Sequence, residues 1–171
     1  MRIIGGREEK RQKAEPQHPR TAPRALVVDD DETLLELLDK LLEFIGFVST
    51  GAVNGQLALD EYRRALSTRP YTIILAGIHM PVMNGLQFGR AIRRIDTDIP
   101  MVAMSGYVTW RNETDASSTP MGVGYDLFLE KPFTLFQLQH AILMSAMKHN
   151  CLEILEKVDF HALWAGPSKE P

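Results

Sequence analysis

Arg24-Ala-Leu-Val-Val-Asp-Asp-Asp-Glu-Thr-Leu-Leu-Glu-Leu-Leu-Asp-Lys-Leu-Leu-Glu-Phe-Ile-Gly46 holds the decision about the fold. Ala25 to Val28 is a short, continuous apolar run ending against three acids, the pattern of a strand buried on both faces. Asp31 has the chemistry of a helix N-cap. Leu34, Leu35, Leu38, Leu41, Leu42 and Ile45 then recur at helical spacing, and Gly46 stands where a helix would stop. A buried strand running straight into an amphipathic helix is half of a βαβ unit, because parallel strands need a crossover between them.

Working outward, the unit repeats. Phe47 to Thr50 reads as a second strand, and Asn54 and Gly55 open a helix carrying Leu57, Ala58, Glu61, Tyr62 and Leu66. Tyr71 to Ala76 is a third strand, Met80-Pro-Val-Met-Asn-Gly85 a loop, and Leu86 to Ile95 a third helix. Ile99 to Met104 and Asp126 to Leu129 are the fourth and fifth strands. Thr134 caps a last core helix bearing Leu135, Leu138, Ile142 and Leu143. Five short apolar strands alternating with helices predict a parallel sheet covered on both faces. One stretch breaks the alternation. Val108 to Gly124 is rich in Thr, Asn, Asp, Ser, Pro and Gly, which favour caps and turns, so a short distorted helix or a long loop is expected there.

The flanks read differently. Residues 1–24 carry seven basic and three acidic side chains, net +4, which leaves −7 for the rest. With Pro16, Pro19 and Pro23 and almost no aliphatic residues after Ile4, residues 1–23 are expected to be a disordered basic tail. Such a tail is either an arm for an acidic partner or a solvated leader. Residues 24–147 form the domain, and 148–171 a C-terminal helical extension and tail. In the latter, Leu152, Leu155, Val158 and Phe160, then Leu163-Trp164, form an apolar stripe that either covers the domain's own core or faces a partner. About two dozen residues cannot fold alone, so no effector domain is expected.

Composition narrows the function. At 171 residues, 44% apolar and 24% charged, the chain has core enough for one domain without staples. Cys151 is the single cysteine, which excludes an intrachain disulfide and a multi-cysteine metal site. No apolar run approaches the roughly 18 residues of a membrane span, and the N-terminus lacks a signal peptide's apolar core. A cytoplasmic protein with no membrane contact is expected. An acidic body without a helix-turn-helix gives no support for nucleic-acid binding.

In a sheet of this kind, chemistry gathers at the carboxyl ends of the strands. Those ends carry Asp29-Asp30, Ser105-Gly106 and Lys131-Pro132-Phe133. A carboxylate pair, a hydroxyl and an ammonium suit a divalent cation and a phosphoryl group. Val27-Val-Asp-Asp30, Met80-Pro-Val-Met-Asn-Gly85, Met104-Ser-Gly106 and Leu129-Glu-Lys-Pro-Phe133, each at a strand end and in this order, resemble the receiver domain of two-component response regulators from about Arg24 to Met147.

The resemblance implies a flavodoxin-like α/β three-layer sandwich with a five-stranded parallel sheet of order 2-1-3-4-5. It implies Mg²⁺ positions at Asp29 and Asp30, with a further ligand from the His79 carbonyl. It also implies a switch hydroxyl at Ser105, a switch aromatic at Phe128, a phosphoryl-binding lysine at Lys131 and a cis bond before Pro132. Without a phosphoryl group each has a plainer role: an N-cap pair at Asp29 and Asp30, a backbone-bonded hydroxyl at Ser105, a packed aromatic at Phe128, an ion-pair partner at Lys131.

The departure lies in the third strand. The family's nucleophile is an aspartate four residues before the Pro of Met-Pro, and here that residue is Gly77. No Asp or Glu stands between Glu61 and Asp96, so no shift of register supplies one. Acyl-phosphate chemistry needs that carboxylate. Its loss also removes a metal ligand, so Mg²⁺ is expected to bind weakly or not at all. Lys131 is then open to pair with Asp29 or Asp30 and hold the pocket in one state. The resulting expectation is a stand-alone, non-enzymatic receiver-like signalling domain. It would act without phosphorylation, through contact with a histidine kinase, another response regulator or an identical subunit. The alternative is a working phosphorelay receiver modified at a non-standard residue, for which His79 is a candidate. A small-molecule sensor using the vacated pocket ranks last, since no Gly-rich phosphate loop is present.

Overall fold

The computed structural model describes residues 2–5, 22–106, 119–158 and 160. Its elements run β1 (Arg2–Ile4), β2 (Arg24–Val28), α1 (Glu32–Phe44), β3 (Val48–Ala52), α2 (Gly55–Leu66), β4 (Ile73–Gly77), α3 (Gly85–Arg93), β5 (Met101–Ser105), a 3₁₀ turn (Met121–Val123), β6 (Leu127–Glu130), α4 (Leu135–Lys148) and α5 (Leu152–Lys157). All pairings are parallel, in the order β1-β3-β2-β4-β5-β6. Set β1 aside and the order is 2-1-3-4-5, the flavodoxin-like sheet that the resemblance implies.

Alternation along each strand sends side chains to two cores. On β2, Ala25 and Val27 join Leu35, Leu38 and Leu42 of α1 and Leu138 and Ile142 of α4. Leu26 and Val28 face the other way, onto Ala58 and Tyr62 of α2 and Phe88 and Ile92 of α3. Buried on both faces, β2, β4 and β5 bury no polar side chain except at their carboxyl ends, and these ends carry the site. The helices start where local chemistry predicts. Asp31 accepts from the Thr33 and Leu34 N–H groups, Asn54 from Leu57, and Thr134 closes a capping box with Gln137.

One finding departs from the sequence expectations. Arg2–Ile4, expected within a disordered tail, forms an edge strand paired to β3, with Ile3 opposite Gly51 and Ile4 opposite Ala52. Ile3 packs against the α1/α4 core and Ile4 against the α2/α3 core. Two consecutive β-branched residues thus cover both faces of an otherwise open edge. Residues 6–21 lie outside the described part. Between β5 and β6 the described residues hold one 3₁₀ turn, and residues 107–118 also lie outside. After α4, Asn150 at φ 51° turns the chain, and α5 runs back so that Ile154 and Val158 are buried in the α1/α4 core. Leu163-Trp164 lies outside the described residues.

Candidate functional site

Register brings the ends of β2, β4, β5 and β6 to one level. Val28 pairs with Ala76, Gly77 with Met104 and Ser105 with Glu130. The residues just past these ends therefore converge. Asp29 is buried, its N–H held by the Ala52 carbonyl at 3.0 Å. Its Oδ1 accepts the Asp31 N–H at 3.2 Å, and its Oδ2 accepts Lys131 Nζ at 2.5 Å. Lys131 is anchored in turn, its N–H donating to the Ser105 carbonyl at 2.9 Å. The bond from Lys131 to Pro132 is cis. Ser105 is buried, with its Oγ 3.4 Å from Nδ1 of the exposed His79.

The electrostatics of Asp29 follow from this placement. Burial raises its carboxyl above the usual 3.8, and the Lys131 ammonium only partly opposes that rise. A buried carboxylate with a single cation is under-compensated, and the buried residue is Asp29 rather than Asp30, which is exposed.

Gly77 closes β4 with its backbone packed against two neighbours. A Cβ on it would meet Asp29 Oδ2 at 2.6 Å. Gly85, which opens α3, lies so close beneath that a Cβ there would stand 2.2 Å from the Gly77 carbonyl oxygen. Only glycine allows this approach. Tyr125 completes the arrangement. Fully buried, it donates its hydroxyl to the Gly85 carbonyl at 2.7 Å. Nothing in the sequence marks Tyr125, because its partner is 40 residues away.

Of the expected site residues, Asp29, Gly77, His79, Ser105, Lys131 and Pro132 come together, and Asp30 stands at their edge. Phe128 does not join them. It sits half-buried on β6, packed against the α2/α3 core, and lines an open groove of about 280 Å³ between β6 and α4. Leu127, Glu130, Phe136, His140 and Ala141 are among the other residues lining it, with the Phe136 and His140 rings stacked at 6.4 Å. Among the described residues no three His, Cys, Asp or Glu side chains are grouped to hold a metal ion, and no helix is long and apolar enough to cross a membrane.

A second polar cluster, unannounced by any motif, lies at the opposite end of the sheet. Asp126, just before β6, accepts from the Met101 N–H (2.7 Å), Ser145 Oγ (2.9 Å), Lys148 Nζ (2.9 Å) and His149 Nε2 (2.7 Å). Arg93 stands 3.6 Å away. Burial would raise this carboxyl, but its donors together hold it below 3.8.

Residues 25–143 match the family described as response regulator receiver domain. Among curated relatives, the transcriptional regulatory protein PrrA of Mycobacterium leprae (strain TN) is 38% identical over 118 residues, which are 69% of this chain and 47% of that protein. The chain thus spans about half the length of such relatives. Two-component response regulator 24 of Arabidopsis thaliana is 31% identical over 137 residues, 80% of this chain and 84% of the relative. Among solved structures, a response regulator receiver domain protein from Clostridium thermocellum superposes with a TM-score of 0.66 at 24% identity, covering 76% of this chain and 98% of that one. Response regulator protein TrrA of Thermotoga maritima, solved in complex with Mg²⁺ and beryllium fluoride, gives 0.60 at 27% identity, with 72% and 98% covered.

Proposed function

We propose that this chain, which belongs to the response regulator receiver domain family, signals by protein contact and independently of phosphorylation. The observation that carries this reading is the end of β4. Gly77 stands there, and the neighbouring lysine is already neutralised by Asp29. A phosphoryl acceptor needs an oxygen nucleophile that attacks phosphorus while the leaving group departs, and a glycine backbone supplies none.

Receiver domains typically bind Mg²⁺, and TrrA was solved with it. The donors in this chain fit that ion poorly. Asp29 Oδ2 is committed to Lys131, no carboxylate stands between Glu61 and Asp96, and Asp30 is left with backbone carbonyls. Hard-cation affinity falls with each lost charged ligand.

For contact, the edge strand β6 and the adjacent face of α4 offer the groove lined by Phe128, Phe136 and His140, with Met144 and Met147 exposed on the same helix. Methionine and aromatic side chains at a surface adapt to partner shape. The partner classes are a histidine kinase, another response regulator or an identical subunit, and the setting is cytoplasmic.

The test is incubation of the full chain with acetyl phosphate and Mg²⁺, followed by intact mass. Unchanged mass is expected. A stable gain of one phosphoryl group overturns the reading and favours a working receiver modified elsewhere. His79 is then the first position to examine, exposed at the mouth of the site beside Ser105.

A further inference from the structure

The space beside the Gly77 backbone is taken. A Cβ at position 77 would stand 2.6 Å from Asp29 Oδ2, 3.3 Å from Asp29 Cγ and 3.4 Å from the Val28 carbonyl oxygen. The first of these is far inside van der Waals contact, so one of the two groups would have to move. The oxygen is not a loose end. Oδ2 accepts from Lys131 Nζ while Oδ1 of the same carboxylate accepts the Asp31 N–H. Rotating the carboxylate clear of a new Cβ breaks one or both bonds in a buried place, where an unpaired charge is costly.

We infer that Gly77 and the Asp29–Lys131 pair form one interlocked unit. The Asp29 carboxylate fills the room a side chain at 77 would need, and from there it ties the end of β2 to the end of β6. Bare backbone at 77 is therefore a requirement of this latch as well as the absence of an acceptor. Lys131 also holds the Ser105 carbonyl through its N–H, so the latch fixes β5 along with β2 and β6. The functional meaning of the unit, a pocket held in one state without a phosphoryl group, rests on the phosphorylation-independent reading. The steric coupling does not.

The test is a set of full-length variants followed by thermal unfolding. Gly77→Ala adds only the Cβ. Asp29→Asn keeps the shape of the carboxylate, and Asp29→Ala removes it. Gly77→Ala is expected to lower Tm by roughly 3–6 °C with Asp29 in place, and by a similar amount on the Asp29→Asn background. On the Asp29→Ala background its effect should shrink to less than about 1 °C. Equal losses on all three backgrounds, or no loss in the natural chain, overturn the interlock. If Gly77→Ala fails to fold, folding of the double variant Gly77→Ala/Asp29→Ala carries the same conclusion, and failure of both overturns it. Alanine accepts no phosphoryl group, so the two tests separate. A phosphorylated chain with the coupling intact defeats the functional reading alone. An unphosphorylated chain without coupling defeats the interlock alone.

Discussion

Two buried aspartates sit at opposite ends of the same sheet, and their surroundings differ in kind. Asp126, at the amino end, is met by a backbone N–H, a hydroxyl, an ammonium and an imidazole N–H, with a guanidinium beyond. Asp29, at the carboxyl end, has one ammonium and one side-chain-accepted N–H. Burial acts on both, yet Asp126 ends below the usual carboxylate value and Asp29 above it. The amino-end cluster is built for stability, with Lys148 on the last turn of α4 where the helix dipole also favours a cation. At the carboxyl end, the charge is held by too few partners for its burial. Such under-compensation is a mark of sites shaped for function.

The largest effect belongs to the amino end. Asp126→Ala leaves Arg93, Lys148 and His149 without their common acceptor and the Met101 N–H unpaired. Breaking a buried, multiply bonded charge in this way costs about 3 kcal/mol or more. Urea unfolding at pH 7 should show that loss as a lower midpoint with unchanged slope. A loss under about 1 kcal/mol would mean that the cluster is a surface network after all.

Next in size is the response to acid, where the two aspartates should pull in opposite directions. Asp126 is depressed in the folded state, so its contribution is present above 3.8 and is lost as pH falls through its folded value. Asp29 is raised, so the folded state binds its proton more readily than the unfolded chain does, and Asp29 costs stability as pH rises from 3.8 through its folded value. Stability of Asp126→Asn and Asp29→Asn, each measured against the natural chain from pH 3 to 7, separates the two. The Asp126→Asn deficit should shrink on acidification, whereas the Asp29→Asn variant should fare relatively better as pH rises. Parallel curves would erase the distinction between the two ends.

Much of the fold and of the carboxyl-end site was legible in the sequence, and the reasons are local. The caps at Asp31, Asn54 and Thr134 sit in the first turn of the helices they start. The apolar runs carry their own period, and strand ends in a parallel sheet converge whatever the loops do. Gly77 needs only counting back from Pro81, and with no Asp or Glu on the third strand the sequence leaves Lys131 open to Asp29 or Asp30. Other features depend on partners remote in the chain. Lys131 finds Asp29 rather than Asp30 across 102 residues, because one is buried and the other is not. The donors to Asp126 lie 19 and 23 residues away at Ser145 and His149, a spacing with no signature. The strand at Arg2–Ile4 is hidden for the same reason. Three residues in a basic, proline-rich segment become a strand only because β3 presents an edge to them.

The smallest prediction bears on backbone strain, the other respect in which the two ends differ. Among the described residues, two non-glycines have positive φ. Val82, at 67°, stands in the loop after β4 at the carboxyl end, and Asn150, at 51°, stands in the turn after α4 at the amino end. Asparagine tolerates this region because its short amide can bond locally, whereas a β-branched side chain crowds its own carbonyl there. Val82 is also 81% exposed, so its side chain gives back little by packing. Val82→Gly should therefore stabilise the chain by about 1 kcal/mol, and Asn150→Gly should change stability by only a few tenths. Paired melts of the two variants read the difference directly. Equal shifts would show that the Met80–Gly85 loop holds no strain. The carboxyl end would then differ from the amino end in its electrostatics alone.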